Sequence, residues 1–198
     1  YNSVRTNALS PAAAAAMEAV GFSTCQHLVL LSRMGATTRS AIASDLKPNR
    51  VRLGRAANLR RSANRHAIAR ILRLDEMAFG REWCLDEISL LDAYKATQRA
   101  ALLEVHDRSD QSRCLGFILV GRTGPAGFIQ RLAVHPDVRR TGLASSLLAA
   151  GTQWLHHHGA EVMAVNTENI NEAALALYER HGFDAMPYGL SVMERELT

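Results

Sequence analysis

Residues 133–148 read "AVHPDVRRTGLASSLL". An apolar, strand-like run stops at His135-Pro136, a short basic turn follows, and a helical spacing begins near Thr141. Proline brings no N–H to a strand ladder, so the run has to end there. The first turn of a helix has amide donors without intrahelical acceptors and carries the positive end of the helix dipole, which makes it an anion site. Gly142 lets backbone approach such an anion without a Cβ in the way. Arg139 and Arg140 add charge and directed donors. Taken alone, R-x-x-G-x-A is equally the mark of an ordinary capped helix with two surface arginines.

Working outward, Leu143, Leu147, Ala150 and Trp154 follow one helix face. "EVMAVNT" (161–167) reads as a strand, "NEAALALYERHG" (171–182) as a helix and "YGLSVMEREL" (188–197) as a last strand. Upstream, "VRLGRA" (51–56) reads as a strand. "ANRHAIARILRLDEMAF" (63–79) is a helix with Ala67, Ile71, Leu74 and Ala78 on one face, and "LDEISLLDAYKA" (85–96) is a second helix with Asp86 and Glu87 in its first turn. "RAALLEVHD" (99–107), "CLGFILVGR" (114–122) and "FIQRLAVHP" (128–136) form an antiparallel meander. Antiparallel strands followed by helix-linked ones imply an α/β fold, with a mixed sheet and helices on both faces.

The turn, the helix, the strand and then "NEAALALYERHGF" (171–183) come in one fixed order, and at this point residues 50–198 resemble the Gcn5-related N-acetyltransferase (GNAT) superfamily. Arg139, Gly142 and Ala144 match that family's Q/R-x-x-G-x-G/A motif. Asn171, Ala174, Tyr178, Gly182 and Phe183 match its N-x-x-A-x-x-x-Y-x-x-x-G-F helix. The resemblance implies an acetyl-coenzyme A site in a splayed sheet. The pyrophosphate is expected on the turn made of Arg139, Arg140, Thr141, Gly142, Leu143, Ala144 and Ser145. The pantetheine is expected along Leu132, Ala133 and Val134, the thioester between that strand and Val165-Asn166, and Asn171 on the cofactor arm. It further implies the Val134 N–H as oxyanion donor and Tyr178 as general acid, a phenol of ordinary pKa near 10 matched to a thiolate leaving group. Packing beside Leu177 is the plain alternative for that side chain.

Within the family the chain is most similar to the ribosomal-protein alanine N-acetyltransferases, and "LDEMAFGREW" (74–83) resembles the acid-Phe-x-x-x-Trp stretch on their substrate side. This implies Phe79 and Trp83 as acceptor-binding residues, with core or rim packing as the alternative. Such relatives place a Glu five residues before the motif Asn to take the amine's proton. Here that position is Asn166, which leaves Glu168, His135 or a water chain to do so, the first two being otherwise solvated loop residues. The expected reaction is acetyl transfer to a primary amine, with a protein N-terminal α-amine favoured. The alternatives are an aminothiol, amino sugar or polyamine acceptor, or a non-catalytic coenzyme A-sensing or nucleic-acid-associated module.

Residues 10–22, "SPAAAAAMEAVGF", align with residues 171–183 without a gap at an offset of 161 (171 − 10) and share Ala-Ala, Ala, Glu and the closing Gly-Phe, with Met17 where the later copy has Tyr178. Coincidence in an alanine-rich amphipathic helix followed by Gly-Phe is the plain alternative. Residues 1–34 therefore read as a partial strand–helix–strand of a second such unit, 35–49 as a polar linker and 50–198 as the acetyltransferase domain. Pro11 after Ser10 starts the first helix and Gly21 ends it. The chain opens on Tyr1 rather than Met, as a fragment or processed form would, and the first copy is read as a tandem remnant or the tail of a longer protein.

The 198 residues, 47% hydrophobic and 21% charged, suit a soluble globular chain. No apolar run reaches the roughly 18–20 residues that cross a bilayer, so no membrane partner is expected. Three scattered cysteines, Cys25, Cys84 and Cys114, suit free thiols in the cytoplasm. The net charge of +4 is concentrated in arginines between 50 and 73. That stretch has no aromatic to stack on a base, which disfavours nucleic acid. His156, His157 and His158 are consecutive, so on a helix they point about 100° apart and no metal site is expected. A monomer or homodimer is expected.

Overall fold

A computed structural model describes residues 3–35, 49–51, 62–107, 109–110 and 112–197. In chain order the elements are β1 (Ser3–Arg5), α1 (Pro11–Glu18), β2 (Ser23–Met34), β3 (Asn49–Val51), α2 (Ser62–Phe79), α3 (Glu87–Lys95), β4 (Arg99–His106) and β5 (Cys114–Thr123). They continue as β6 (Ala126–Val134), a 3-10 turn (Pro136–Val138), α4 (Leu143–His157), β7 (Val162–Glu168), α5 (Glu172–Arg180), β8 (Asp184–Ala185) and β9 (Leu190–Glu196). They fall into two compact units, Met34–Met163 and Tyr1–Arg33 with Ala164–Thr198.

In the unit Met34–Met163 the strands run β6-β5-β4-β3, each pair antiparallel. β5 is buried from Cys114 through Gly121 without alternation, because both its faces are covered. On one face, Phe117 and Leu119 pack with Ile68, Ile71 and Leu74 of α2 and Leu90 of α3. Each such side chain, fully buried, contributes about 1.5–3 kcal/mol. On the other face lies α4, so close at Gly151 that an added Cβ would stand 2.8 Å from Ile118 Cδ1. Asp86 precedes α3 as its N-cap rather than lying in its first turn, its Oδ1 accepting from Ser89 N at 2.7 Å. The expected strand 51–56 is represented by β3, and its residues 52–56 lie outside the described residues, as does most of the expected linker.

In the other unit the order is β1-β9-β2-β7, with β8 also on β2; β7 is described here, where all but its first two residues fall. β2 runs the twelve residues Ser23–Met34 and has neighbours on both sides. The sequence repeat is also a structural one. Phe22 N donates to Met17 O at 3.1 Å, and Phe183 N to Tyr178 O at the same distance. Gly21 and Gly182 adopt φ of 85° and 76°, left-handed conformations that side chains resist.

The carbonyl before each of those glycines is capped by an arginine from the other copy's strand. Arg195 Nη1 donates to Val20 O at 2.9 Å, and Arg33 Nη1 to His181 O at 2.7 Å. Exchanging the copies turns the order β1-β9-β2-β7 into itself read backwards, with 23–34 taking the place of 184–195. β2 is antiparallel to both β8 and β9, as a local twofold requires.

Gly151→Val puts a branched side chain where a single Cβ already collides. It is expected to destabilise the fold by about 2 kcal/mol, the usual cost of overpacking, read as a shift in the urea midpoint at unchanged slope.

Candidate functional site

The basic turn at the end of β6 is built as follows. His135 N still donates to Leu115 O at 2.8 Å, and Pro136 then forces the chain into a 3-10 turn. Thr141 Oγ1 donates to Val138 O at 2.7 Å, which folds the turn back on itself. Arg140 has φ of 65° and Gly142 φ of 86°. A left-handed arginine costs roughly 1–2 kcal/mol, and nothing lies within 4 Å of where a Gly142 Cβ would be. α4 starts at Leu143, two residues after the Thr141 that the sequence suggested, because Gly142 is its N-cap and not part of the helix. The amides of Leu143 and Ala144 open the helix, and the residues four back, Arg139 and Arg140, lie outside it. Arg139, Arg140, Thr141 and Gly142 are exposed, Leu143 is buried, and Ala144 and Ser145 are half-buried. Free amides at a helix start, beside two exposed arginines, are groups that could hold an anion such as a pyrophosphate.

Leu132 and Val134 are half-buried, and Ala133 is buried against the α2–α3 face. The register shifts between Leu119 and Val120, so that β6 bulges at Gln130. Arg131 then points at α2. Its Nε and Nη2 donate to Asp75 Oδ1 and Oδ2, both at 2.8 Å, and Nη2 also donates to Trp83 O at 2.7 Å. Its guanidinium lies 3.5 Å from the centroid of Phe79. Phe79 and Trp83, singled out from the sequence, thus meet through a residue that was not. Asp75 was legible all the same: it lies four residues after Ile71 and seven after Ile68, a carboxylate on an apolar helix face.

A second buried cluster also escaped the sequence reading. Arg70 Nη2 and His106 Nε2 both lie 3.0 Å from Glu104 Oε1. Only the backbone pairing of β4 with β5 brings His106 beside Cys114, whose thiol burial first, and then Glu104, push up to about 12.

In the unit that holds α5, Asn171 is the helix N-cap, its Oδ1 accepting from Ala174 N at 3.1 Å. That leaves its amide N–H groups as the donors for a ligand. Tyr178 is buried, at 5% exposure, edge-on to Phe183 at 5.8 Å. Burial pushes its phenol up to about 12. Glu168 is a strand end rather than a solvated loop residue, and its Oε1 accepts from Gln26 Nε2. Asn166 is exposed. His135 Nδ1 accepts from Asp137 N at 3.2 Å and lies 3.6 Å from Asp137 Oδ2. His158 stacks on Trp154 at 4.0 Å, so the histidine run closes a helix end.

The residues 66–183, more than half of the chain, match the acetyltransferase (GNAT) family, and the chain belongs to it. The mycothiol acetyltransferase of Clavibacter sepedonicus is 30% identical over 183 residues, 87% of this chain and 56% of that one. The N-alpha-acetyltransferase 30 of Schizosaccharomyces pombe is 33% identical over 79 residues, 37% of this chain and 53% of that one. The chain thus spans about half the length of these two relatives. Among solved structures, a GCN5-related N-acetyltransferase from Sphaerobacter thermophilus superposes with a TM-score of 0.66 at 16% identity, over 98% of this chain and 59% of that one. The fold is the one that the two motifs imply. No helix among the described residues is long and apolar enough to cross a membrane.

Tyr178 supplies a titration that can be read directly. Its phenol ionises in the unfolded chain near pH 10 and in the fold near 12, so the folded state holds the proton longer. This group contributes no pH dependence below pH 10 and costs stability as pH rises from about 10 towards 12. The difference in phenolate absorbance between the wild type and Tyr178→Phe is expected to stay flat to about pH 11.

Proposed function

We propose that this chain transfers the acetyl group of acetyl-coenzyme A to a primary amine, by direct attack. The observation that carries the reading is the turn Arg139–Ala144, with two left-handed residues, Arg140 and Gly142, opening α4. Backbone strain of this kind persists where the surroundings over-determine it, and an anion cradle is such a place. The pyrophosphate would rest on that turn. The pantetheine would run along Leu132–Val134, and the Asn171 amide would hold the arm.

In the reaction the amine nitrogen forms a bond to the thioester carbon, and the Val134 N–H would stabilise the developing oxyanion. The C–S bond then breaks, and the departing thiolate takes the Tyr178 proton. A phenol raised to about 12 stays protonated at neutral pH, and the same burial makes it a weaker donor to the thiolate than a free phenol of pKa near 10 would be. His135 is the less suited base, because its Nδ1 is already engaged by the Asp137 N–H and lies beside the Asp137 carboxylate. Glu168 is the better candidate: Gln26 orients its carboxylate, and a carboxylate oxygen can accept a second hydrogen bond from a water that relays the amine's proton.

For the acceptor we favour a small aminothiol over the protein N-terminus that the sequence motifs suggested. The match to the mycothiol acetyltransferase spans 87% of the chain, and so extends into the N-terminal strand–helix–strand, whereas the N-alpha-acetyltransferase match spans 37%. A protein α-amine remains the second reading, on the strength of that 33% identity and of the Phe79–Trp83 pair. Residues 1–34 are read as the closing half of a second GNAT unit that kept its packing and lost its phenol at Met17. The free thiols of Cys25, Cys84 and Cys114 support a cytoplasmic setting.

Thiol release from acetyl-coenzyme A over a panel of aminothiols, amino sugars, polyamines and N-terminal Ala and Ser peptides tests the reading. Turnover should be confined to one acceptor class, and Tyr178→Phe should lower kcat by roughly 10²–10⁴-fold with binding of coenzyme A unchanged. Gly142→Val, which cannot hold a φ of 86°, should instead weaken coenzyme A at least about tenfold by calorimetry. A silent wild type that still binds coenzyme A would overturn the transferase reading in favour of a sensor.

A further inference from the structure

Between α2 and α3 the chain makes an irregular passage, Gly80–Leu85, that bears Trp83 and Cys84. Connecting segments of this kind run over the surface and are ordinarily more mobile than the elements they join. This one is tied from beneath. Asp75, with no exposed side-chain surface, takes both Arg131 nitrogens and, on Oδ2, the Leu85 N–H at 2.7 Å. The same guanidinium donates from Nη2 to the Trp83 carbonyl and lies over the Phe79 ring, 3.5 Å from its centroid. A single ion pair therefore fixes the segment at its centre and at its end, and Asp86 begins α3 directly after it.

The anchor of that pair is the bulged strand that runs on to Val134. Without the bulge at Gln130, Arg131 would alternate to the other face of β6. The cation stacks on an aromatic and forks onto a carboxylate, a geometry that arginine provides and lysine does not.

We propose that Arg131 is a positioning residue for the acceptor: through Asp75 it sets Gly80–Leu85, and with it Trp83, at a fixed height over the strand that leads to Val134. The acceptor then meets a preformed wall and not a lid that closes over it. This rests on the proposed transferase activity and on Phe79 and Trp83 being acceptor-side residues.

Arg131→Lys keeps the charge and loses the fork. It is expected to raise the acceptor KM at least about tenfold, with kcat changed less than about threefold and the coenzyme A Kd unmoved, as loss of uniform acceptor binding requires. Amide exchange of Arg81–Leu85 should quicken in parallel. Trp83→Ala should raise KM comparably without touching the buried pair, and the double variant should be no worse than the worse single one, since both act through the same wall.

An unchanged acceptor KM in Arg131→Lys, with exchange quickened, would overturn the inference while leaving the transferase reading intact. So would an unchanged KM in Trp83→Ala, which holds even if Arg131→Lys fails to fold. A fall of kcat, coenzyme A affinity and melting temperature together would reduce Arg131 to a purely structural role. A wild type that binds coenzyme A and acetylates no acceptor would fail earlier, at the transferase reading itself.

Discussion

A carboxylate taken wholly out of water is tolerated only if its charge and its lone pairs are answered, and the fold around Asp75 follows from that requirement. Desolvating the ion costs several kcal/mol, and losing its partner would leave most of that cost uncompensated. Arg131 answers it with two hydrogen bonds of 2.8 Å, and the Leu85 amide with a third. For arginine to reach, β6 has to bulge, and for the bulge to be stable, β5 has to hold β6 on both sides of it. The long buried run of β5, clamped between α2 with α3 on one face and α4 on the other, is what makes that possible. Hydrophobic burial supplies the driving force, and the ion pair selects one register among those that burial alone would permit.

The turn after β6 draws on the same scaffold for a different end. A left-handed arginine, a proline that stops the ladder and a glycine that starts a helix are all locally unfavourable or neutral choices. They are held because β6 is paired with the buried strand β5 on one side and α4 on the other side buries Leu143, Leu147 and Leu148 in its first two turns. Rigid elements flanking a strained turn are the common arrangement for a site that must present several amides to one anion.

The N-terminal repeat shows how little sequence is needed to keep a structural motif. Gly-Phe at the end of each helix preserves the left-handed close, and the carbonyl just before each glycine receives an arginine from the other copy. Neither arginine belongs to the repeated pattern: Arg33 matches Glu194 at the offset of 161, and Arg195 matches Met34. The similarity of the two caps therefore follows from the exchange of strands and not from sequence identity. Met17, which is half-buried, stands where the later copy has the buried Tyr178.

By itself the sequence determined what depends on near neighbours. The periodicities placed five helices and the meander strands within a few residues, and the two spaced motifs, Arg139-x-x-Gly142-x-Ala144 and Asn171 through Phe183, determined the family. Element ends were less legible, because Gly142, Asn171 and Asp86 serve as caps outside the helices they begin. What only tertiary structure decided was everything carried by pairs distant in the chain. Arg131 with Asp75 is 56 residues apart, Glu168 with Gln26 is 142, and Arg33 with the end of α5 is 148. A side chain's periodic position says whether it faces inward. It does not say which partner from another element will be waiting there, since that depends on strand register, and here the register of Arg131 was set by a one-residue bulge that leaves no mark in the hydrophobic pattern.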